Sequence, residues 1–217
     1  MIKSASEIRS AARAALSGHW AEAAMLTFVY CIVAWAFSAL VGGLEYVQQG
    51  LGTVATLLML PLSWGYTVTF LSNARGENDP FNVSRIFDGY KDFGRIFITV
   101  LLMQIYIFLW TLLLIIPGII KSLSYAMTPF VLRDNPEMKN NEAIELSMKM
   151  MKGHKMELFI LYLTFIGWGI LCIFTLGIGY FWIVPYINAS LAGFYEEVKA
   201  DYEQSACDSG AYPKLFY

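Results

Sequence analysis

Residues 135–159 read NPEMKNNEAIELSMKMMKGHKMELF, and this stretch decides what kind of protein the chain can form. Its Asn135-Pro136-Glu137 start combines a capping side chain, a proline suited to the first helical position and an acid in the first turn, so a helix is predicted to begin there. Charged and apolar side chains then recur on opposite faces until Gly153, where the helix is predicted to end. A long apolar segment follows. This pattern is typical of an amphipathic helix that lies on a membrane and leads into a membrane-spanning helix.

The composition of the whole chain also indicates a membrane protein. Hydrophobic residues make up 57% of the 217 residues and charged residues 15%, and the mean hydropathy is +0.53. Soluble domains carry about 25% charged residues. Residues 96–120 and 158–195 contain no charged side chain over 25 and 38 positions. Because one membrane-spanning helix needs about 20 apolar residues, these two runs predict at least three crossings.

Charge and cysteine content argue against several classes of function. The net charge is −2 and no cluster of basic residues is present, so we do not expect binding to nucleic acid. The three cysteines (Cys31, Cys172 and Cys207) lack the spacing of metal ligands, which favours a packing role. No nucleophile lies at helical spacing from a base, and no carboxylates are clustered. We therefore expect neither an enzyme nor a bound cofactor.

Taken in order, the sequence predicts an all-α membrane bundle of about six transmembrane helices with three cytoplasmic amphipathic helices. Residues 1–200 are predicted to form one integral membrane domain, and residues 201–217 a disordered tail. A surface helix, a crossing, a turn and a return crossing recur in three units: residues 1–73, 79–133 and 135–199. This recurrence predicts a threefold internal repeat about an axis along the membrane normal.

Local signals mark the ends and breaks of these helices. Ser4 and Glu7 predict a capping box for the first surface helix, and the second is predicted to begin at Asp79-Pro80. Four prolines are predicted to break helices, one in each return crossing and one in the middle hairpin: Pro61, Pro129 and Pro185, and Pro117.

The distribution of charge predicts the orientation of the bundle. In this topology 14 of the 15 basic residues lie on one side of the membrane, and only Lys121 lies on the other. The positive-inside rule places the basic side, both termini and all three surface helices in the cytoplasm.

The only two histidines both occur in the pattern Gly-His-x-x-Glu, 135 residues apart. His19 with Glu22, and His154 with Glu157, would each place a ring nitrogen and a carboxylate on one helix face. If the two pairs meet, they could hold Zn²⁺ or another divalent ion. The alternative is a helix joint, in which the glycine ends one helix and the glutamate complements the N-terminal dipole of the next.

A second candidate site is a set of lysines on and after the third amphipathic helix: Lys139, Lys149, Lys152 and Lys155. We expect this surface to contact membrane lipids, and it could also bind a protein partner or a second copy of the chain. The resulting hypothesis is a non-enzymatic membrane scaffold or accessory protein that binds a partner or anionic lipid. The alternative is a small transporter or lipid-handling permease that uses its proline-broken helices. The crossings carry no clear buried acid, which disfavours ion-coupled transport.

Two motifs carry a resemblance to a known family. Residues 117–121 read Pro-Gly-Ile-Ile-Lys, and residues 150–155 read Met-Met-Lys-Gly-His-Lys. With these motifs the chain resembles an uncharacterised family of small bacterial integral membrane proteins, classed as a domain of unknown function. It is more distantly similar to the membrane domain attached to some glycerophosphodiester phosphodiesterases. The resemblance covers nearly the whole chain, and it implies a bacterial cytoplasmic membrane and no established activity.

Overall fold

The computed structural model describes residues 2–42, 57–175 and 177–208, and within these ranges it contains helices and no strand. The predicted all-α class is therefore confirmed. The α-helices of the described ranges are α1 (Ala5–Leu16), α2 (Trp20–Gly42), α3 (Leu60–Ala74), α4 (Phe93–Leu113), α5 (Ile115–Tyr125), α6 (Thr128–Asp134), α7 (Asn140–Met150), α8 (Lys155–Phe174) and α9 (Tyr180–Asp208). A 3₁₀ helix, Val83–Tyr90, lies between α3 and α4.

Three helical segments of the described chain are long and apolar enough to cross a membrane: Trp20–Ala39, Phe93–Leu113 and Ile115–Asp134. The last of these runs through α5 and α6. Apolar side chains at the tip of the α4–α5 hairpin face outward, and Leu112 and Ile115 are 73% and 71% exposed. Such a surface suits lipid rather than water. The structure therefore supports membrane association, whereas the total of six crossings remains a prediction. The return crossing of the first unit is predicted over residues 53–71, of which residues 53–56 lie outside the described ranges.

The first surface helix forms as predicted. The Ser4 backbone N–H donates to the Glu7 carboxylate over 2.7 Å, and the Glu7 backbone N–H donates to the Ser4 hydroxyl over 3.4 Å. This reciprocal pair is a capping box, which satisfies two backbone donors at the start of α1. The helix ends at Leu16, and Gly18 then adopts a φ of +88°, which suits a residue without a Cβ.

The third surface helix begins later than predicted. Asn135 ends α6 instead of starting α7, because its side-chain amide donates to the Val131 carbonyl over 2.9 Å. Helix α7 begins at Asn140, where the Glu142 carboxylate accepts the Lys139 backbone N–H over 3.0 Å. The contact of Asn135 with the preceding helix thus removes the cap that the sequence predicts for α7.

The second surface segment also differs from the prediction, since it is a 3₁₀ helix that begins at Val83 rather than an α-helix from Asp79. The side-chain oxygen of Asn82 accepts the Ser84 backbone N–H over 2.9 Å and so caps the segment. The Asp79 carboxylate instead accepts from the Asn82 side chain over 2.7 Å.

Of the four predicted helix breaks, only Pro185 lies inside a helix, α9. Pro61 and Pro129 lie in the first turns of α3 and α6, and Pro117 is the third residue of α5. Proline is tolerated in a first turn because the N–H groups there have no partner within the helix. The break in the α4–α5 hairpin falls at Leu114, whose backbone is extended with φ −160° and ψ 136°.

Gly118 allows the two helices of this hairpin to approach closely. A Cβ at this position would lie 2.4 Å from the Thr111 hydroxyl oxygen and 2.8 Å from the Thr111 Cα. The Pro-Gly motif of the sequence is therefore a packing contact inside the hairpin, and the chain reverses just before it.

Helix α9 packs at the centre of the fold against α1, α2, α3 and α8. Ala192, Phe194, Tyr195 and Val198 on this helix have no exposed surface. The helix continues to Asp208, so the predicted disordered tail is wrong for residues 201–208. Contacts stabilise this extension, since Tyr202 packs partly against the core. Residues 209–217 lie outside the described chain.

Candidate functional site

Among the ion pairs of the described residues, the most buried charged group is the carboxylate of Asp134 at the end of α6, whose side chain is 6% exposed. Both Arg75 terminal nitrogens donate to it over 2.7 Å, each to a different oxygen. The Tyr195 hydroxyl donates over 2.9 Å and the Lys199 ammonium over 2.8 Å. A buried carboxylate is tolerated when such donors replace its hydration. Asp134 therefore joins α3, α6 and α9 at one point.

A second ionic cluster lies beside the first and is built on Glu77. Arg133 donates to one carboxylate oxygen of Glu77 over 2.6 Å, and Arg85 donates to the other over 2.8 Å. Burial raises the pKa of Glu77, but the hydrogen bond from Arg85 and the charge of Arg133 outweigh this effect and hold the pKa below its ordinary value. Arg133 also donates to the Val68 carbonyl over 3.0 Å. This cluster ties the loop after α3 to the 3₁₀ helix and to α6.

A groove of about 620 Å³ lies between α5 and the α7–α8 junction. Its walls are mostly apolar, and two lysines stand at one side. We call it the lysine groove, and its lining residues are Ile116, Ile119, Ile120, Leu123, Lys152, Gly153, Lys155, Met156 and Phe159.

The groove contains two of the four lysines predicted as a contact surface. Lys152 and Lys155 line it, and neither forms an ion pair with any residue that the structure describes. Lys139 precedes α7 and Lys149 lies in its last turn, and both are exposed outside the groove. The sequence did not indicate that α5 supplies the apolar wall, because α5 and α8 are distant in the chain.

The sequence predicts that Lys121 lies on the opposite side from the other basic residues, but in the structure Lys121 contacts one of the surface helices. Its ammonium nitrogen is 3.9 Å from the Met148 sulfur on α7, the amphipathic helix that was placed on the opposite side. It also lies 5.0 Å from the ring centroid of Trp110, a distance at which a cation and an aromatic face attract each other. The α4–α5 hairpin therefore packs alongside α7.

The histidine pairs are formed locally but do not meet as a metal centre. His19 Nδ1 lies 2.8 Å from the Glu22 carboxylate, and His154 Nδ1 lies 3.5 Å from the Glu157 carboxylate. His154 Nε2 lies 3.3 Å from Asp201 instead of near the other pair. Across residues 2–42, 57–175 and 177–208, no group of three or more His, Cys, Asp or Glu side chains is arranged to hold a metal ion. The four predicted ligands thus do not form one site.

Each histidine instead lies at a joint between two helices. Gly18 and Gly153 have φ values of +88° and +100°, which only glycine adopts without strain. The His19 carbonyl accepts the first backbone hydrogen bond into α2 at 2.9 Å, and the His154 carbonyl does the same for α8 at 3.2 Å. These contacts agree with the alternative interpretation of the Gly-His-x-x-Glu pattern, in which the glycine ends one helix and the next helix begins directly after it.

Comparisons with known proteins give a family and no activity. Residues 1–121 and 111–202 match one family, described as "Protein of unknown function (DUF975)". No curated protein and no solved structure matches the chain. Because the two matched segments together cover more than half of the sequence, the chain belongs to the DUF975 family of proteins of unknown function.

Proposed function

We propose that the protein is a non-enzymatic integral membrane scaffold or accessory protein that binds anionic lipid. The observation that carries this proposal is the lysine groove, in which two lysines that form no ion pair with a described residue lie beside an apolar channel. A phospholipid has the matching chemistry, since its phosphate is anionic and its acyl chains are apolar. Lysine near a membrane surface contributes about 1 kcal/mol to attraction for anionic lipid.

The surroundings of the groove favour a lipid over a soluble ligand. Ile116 and Met156 at its wall are 71% and 65% exposed, so the channel is open along an apolar surface. Ile116 also belongs to one of the segments long enough to span a membrane. An acyl chain can enter such a channel sideways from the bilayer, while the lysine side chains extend toward the headgroups.

The same proposal includes the finer topology. We place the protein in the bacterial cytoplasmic membrane with six crossings, three related units and both termini in the cytoplasm. The concentration of basic residues on one side supports this orientation. The relation between the first and last units is supported by their joints, since Gly18 and Gly153 adopt similar positive φ values 135 residues apart.

The alternative of a small transporter or lipid-handling permease has less support. It relied on prolines that free backbone carbonyls within a helix. Pro61, Pro117 and Pro129 lie in first turns, where proline interrupts no hydrogen bond of the helix, and Pro185 alone lies within one. One interrupted helix is a common packing feature of membrane proteins.

Lipid retention measured by native mass spectrometry tests the proposal. The protein is taken from nanodiscs with equal parts phosphatidylglycerol and phosphatidylcholine, and the K152Q/K155Q variant is compared with K139Q/K149Q. Both variants lose two positive charges, but only the first changes the groove. We expect roughly fivefold to thirtyfold weaker retention of phosphatidylglycerol for K152Q/K155Q, because two lysine contributions of about 1 kcal/mol are lost.

A third variant separates the groove from general surface charge. Ile120→Trp fills the apolar channel without altering any charge, and we expect it to reduce lipid retention as well. If K152Q/K155Q and Ile120→Trp both retain phosphatidylglycerol as the wild type does, the lysine groove is not a lipid site. Retention of a protein of defined mass would instead support the partner-binding form of the hypothesis.

A further inference from the structure

A second groove, of about 490 Å³, lies between α1 and α9. Its polar lining comes from one face of α1, at spacings of three and four residues, and from one aromatic side chain of α9. We call it the arginine groove, and the residues that matter here are Ser6, Arg9, Ser10, Arg13, Ser17 and Tyr186. Ligand pockets in proteins commonly measure about 300–1,000 Å³, so the space suits a small ligand or a headgroup.

The two guanidinium groups of this groove lack carboxylate partners. Neither Arg9 nor Arg13 forms an ion pair within the described part of the chain. The nearest acid in sequence, Glu7, is held by the Ser4 backbone and hydroxyl at 2.7 Å each. Two like charges four residues apart weaken a helix slightly, so an anion between them would remove a repulsion.

Arg9 also carries an unsatisfied donor. Its Nε atom is buried and has no hydrogen-bond partner in the described part of the chain. A buried guanidinium N–H without a partner is unfavourable, and nearly all such groups in proteins are satisfied. The backbone carbonyl of Arg9 accepts from the Tyr186 hydroxyl over 3.2 Å, which fixes this turn of α1 against α9. The backbone of Arg9 is thus held against α9, and its side chain carries a buried donor that has no partner among the described residues.

Tyr186 positions the second arginine. The Arg13 guanidinium carbon lies 5.8 Å from the Tyr186 ring centroid, within the range of a cation–π contact. The ring itself is buried and packs at 5.1 Å from Phe165 and at 6.1 Å from Trp20. A guanidinium lying against a fixed ring loses little freedom when it binds a ligand.

The serines help to define the ligand. The Ser10 and Ser17 hydroxyls donate to helix carbonyls, those of Glu7 and Ala14, at 2.8 and 2.6 Å. The hydrogens of these two serines are therefore engaged, and the Ser6 hydroxyl lies 3.0 Å from the Ser4 hydroxyl. The charged donors that line the groove are the two arginines. Paired guanidinium donors recognise the tetrahedral oxygens of phosphate. We infer that α1 and α9 form a phosphate-binding site on Arg9 and Arg13, separate from the lysine groove.

The phosphate could belong to a lipid headgroup or to a soluble phosphate compound, and two arms of one experiment distinguish these sources. In the first arm, inorganic phosphate is titrated into detergent-solubilised protein, and binding is followed by calorimetry. In the second arm, retention of phosphatidic acid is measured after release from nanodiscs of one part phosphatidic acid to four parts phosphatidylcholine. Signal in the first arm assigns a soluble phosphate, and signal in the second arm alone assigns a headgroup.

The variants are R9Q, R13Q and R9K, with K91Q as the matched loss of one exposed charge. We expect binding to be about tenfold to a hundredfold weaker in R9Q and R13Q and unchanged in K91Q. R9K should show an intermediate loss, because lysine keeps the positive charge but lacks the paired N–H donors of a guanidinium group. Thermal unfolding without phosphate checks that each variant is folded.

The lysine-groove variant K152Q/K155Q keeps the two sites distinguishable. It should bind inorganic phosphate as the wild type does in the first arm. In the second arm it removes the phosphatidic acid that the lysine groove would itself retain, so R9Q and R13Q are compared there in the K152Q/K155Q background. Absence of binding in both arms, or equal binding by wild type, R9Q and R13Q, would overturn the arginine site and leave the lysine groove unaffected.

Discussion

Asp134 receives hydrogen bonds from Arg75, Tyr195 and Lys199, and its side chain is 6% exposed. Removing its charge leaves Lys199 and Arg75 facing a neutral amide in a mostly buried place, although Arg75 keeps its contact with Glu196 at 2.7 Å. Breaking a buried ion pair on one side costs about 3–5 kcal/mol. We therefore expect Asp134→Asn to lower the free energy of unfolding by about 3 kcal/mol, measured by denaturation in detergent.

An exposed ion pair supplies the control for this prediction. Asp88 contacts Lys91 at 2.7 Å, and the two side chains are 40% and 79% exposed. Exposed pairs of this kind contribute little, so Asp88→Asn should leave the unfolding midpoint nearly unchanged. If Asp134→Asn is as mild as Asp88→Asn, the Asp134 cluster does not stabilise the fold.

The lowered pKa of Glu77 predicts that the stability of the fold depends on pH. Its pKa in the folded protein lies below the ordinary value of 4.5, since the Arg85 hydrogen bond and the Arg133 charge outweigh the effect of burial. For a depressed pKa the stabilisation is complete above 4.5 and is lost as the pH falls through the lower, folded value. The melting temperature of the wild type should therefore exceed that of Glu77→Gln at pH 7, and the gap should narrow below pH 4.5. A gap that is constant across this range would refute the assignment.

Sequence separation explains which side-chain contacts could be predicted. Ser4 and Glu7 are three residues apart, so their capping box follows from a local pattern, and it is confirmed. Arg75 and Asp134 are 59 residues apart. The sequence indicates that charged residues end apolar segments, but it does not indicate which ones pair. The ionic clusters were missed for this reason.

At the scale of elements, the closest packing is between α3 and the 3₁₀ helix. A Cβ on Gly65 would lie 2.1 Å from the Ile86 carbonyl oxygen, and one on Gly89 would lie 2.2 Å from the Pro61 carbonyl oxygen. These backbones touch because neither glycine has a side chain. The 3₁₀ helix is thereby held close to the loop that carries Glu77.

Gly65→Ala should separate these two elements. Forcing a methyl group into a packed contact typically costs about 1–3 kcal/mol, and backbone atoms cannot move aside as a flexible side chain can. Gly94→Ala is the matched control, since a Cβ there would meet no atom within 4 Å. We expect the unfolding midpoint to fall for Gly65→Ala and to stay level or rise for Gly94→Ala. Similar midpoints for both would contradict the observed contact.

Helix boundaries show the limit of prediction for elements. The periodic apolar pattern correctly predicts that a helix exists between residues 140 and 150, because burial of one face depends on spacing alone. Its start was placed at Pro136, since Asn135 is a good cap by sequence. The Asn135 side chain is engaged by the Val131 carbonyl, and the Asn135 carbonyl accepts from Arg95 over 3.2 Å. The Arg95 contact spans 40 residues and is not visible in a local window, and the sequence does not show which of its local partners the Asn135 side chain takes.

At the scale of the whole molecule, apolar run length predicted the class of protein, because hydropathy adds along the chain without regard to the fold. Placement of the lysine groove needed the fold. Two of the four predicted lysines meet an apolar wall from α5, and Lys121 lies beside α7 instead of alone on the far side. Which helices are neighbours depends on how the hairpins pack, and the charge count along the sequence does not contain that information.

The proposed orientation of the whole molecule leads to a labelling prediction. Cys207 is exposed near the end of α9, while Cys31 lies within α2, one of the candidate spans, and is only partly exposed. In a variant with Cys31 and Cys172 replaced by alanine, a membrane-impermeant maleimide should modify Cys207 in inverted vesicles and not in intact spheroplasts. The reason is that the positive-inside rule places the C-terminal side in the cytoplasm. Lysis of the spheroplasts should restore labelling and controls for reactivity. Labelling of intact spheroplasts would place this terminus outside the cell and reverse the proposed orientation of the protein. The lysine groove would then take its lipid headgroup from the outer leaflet of the membrane.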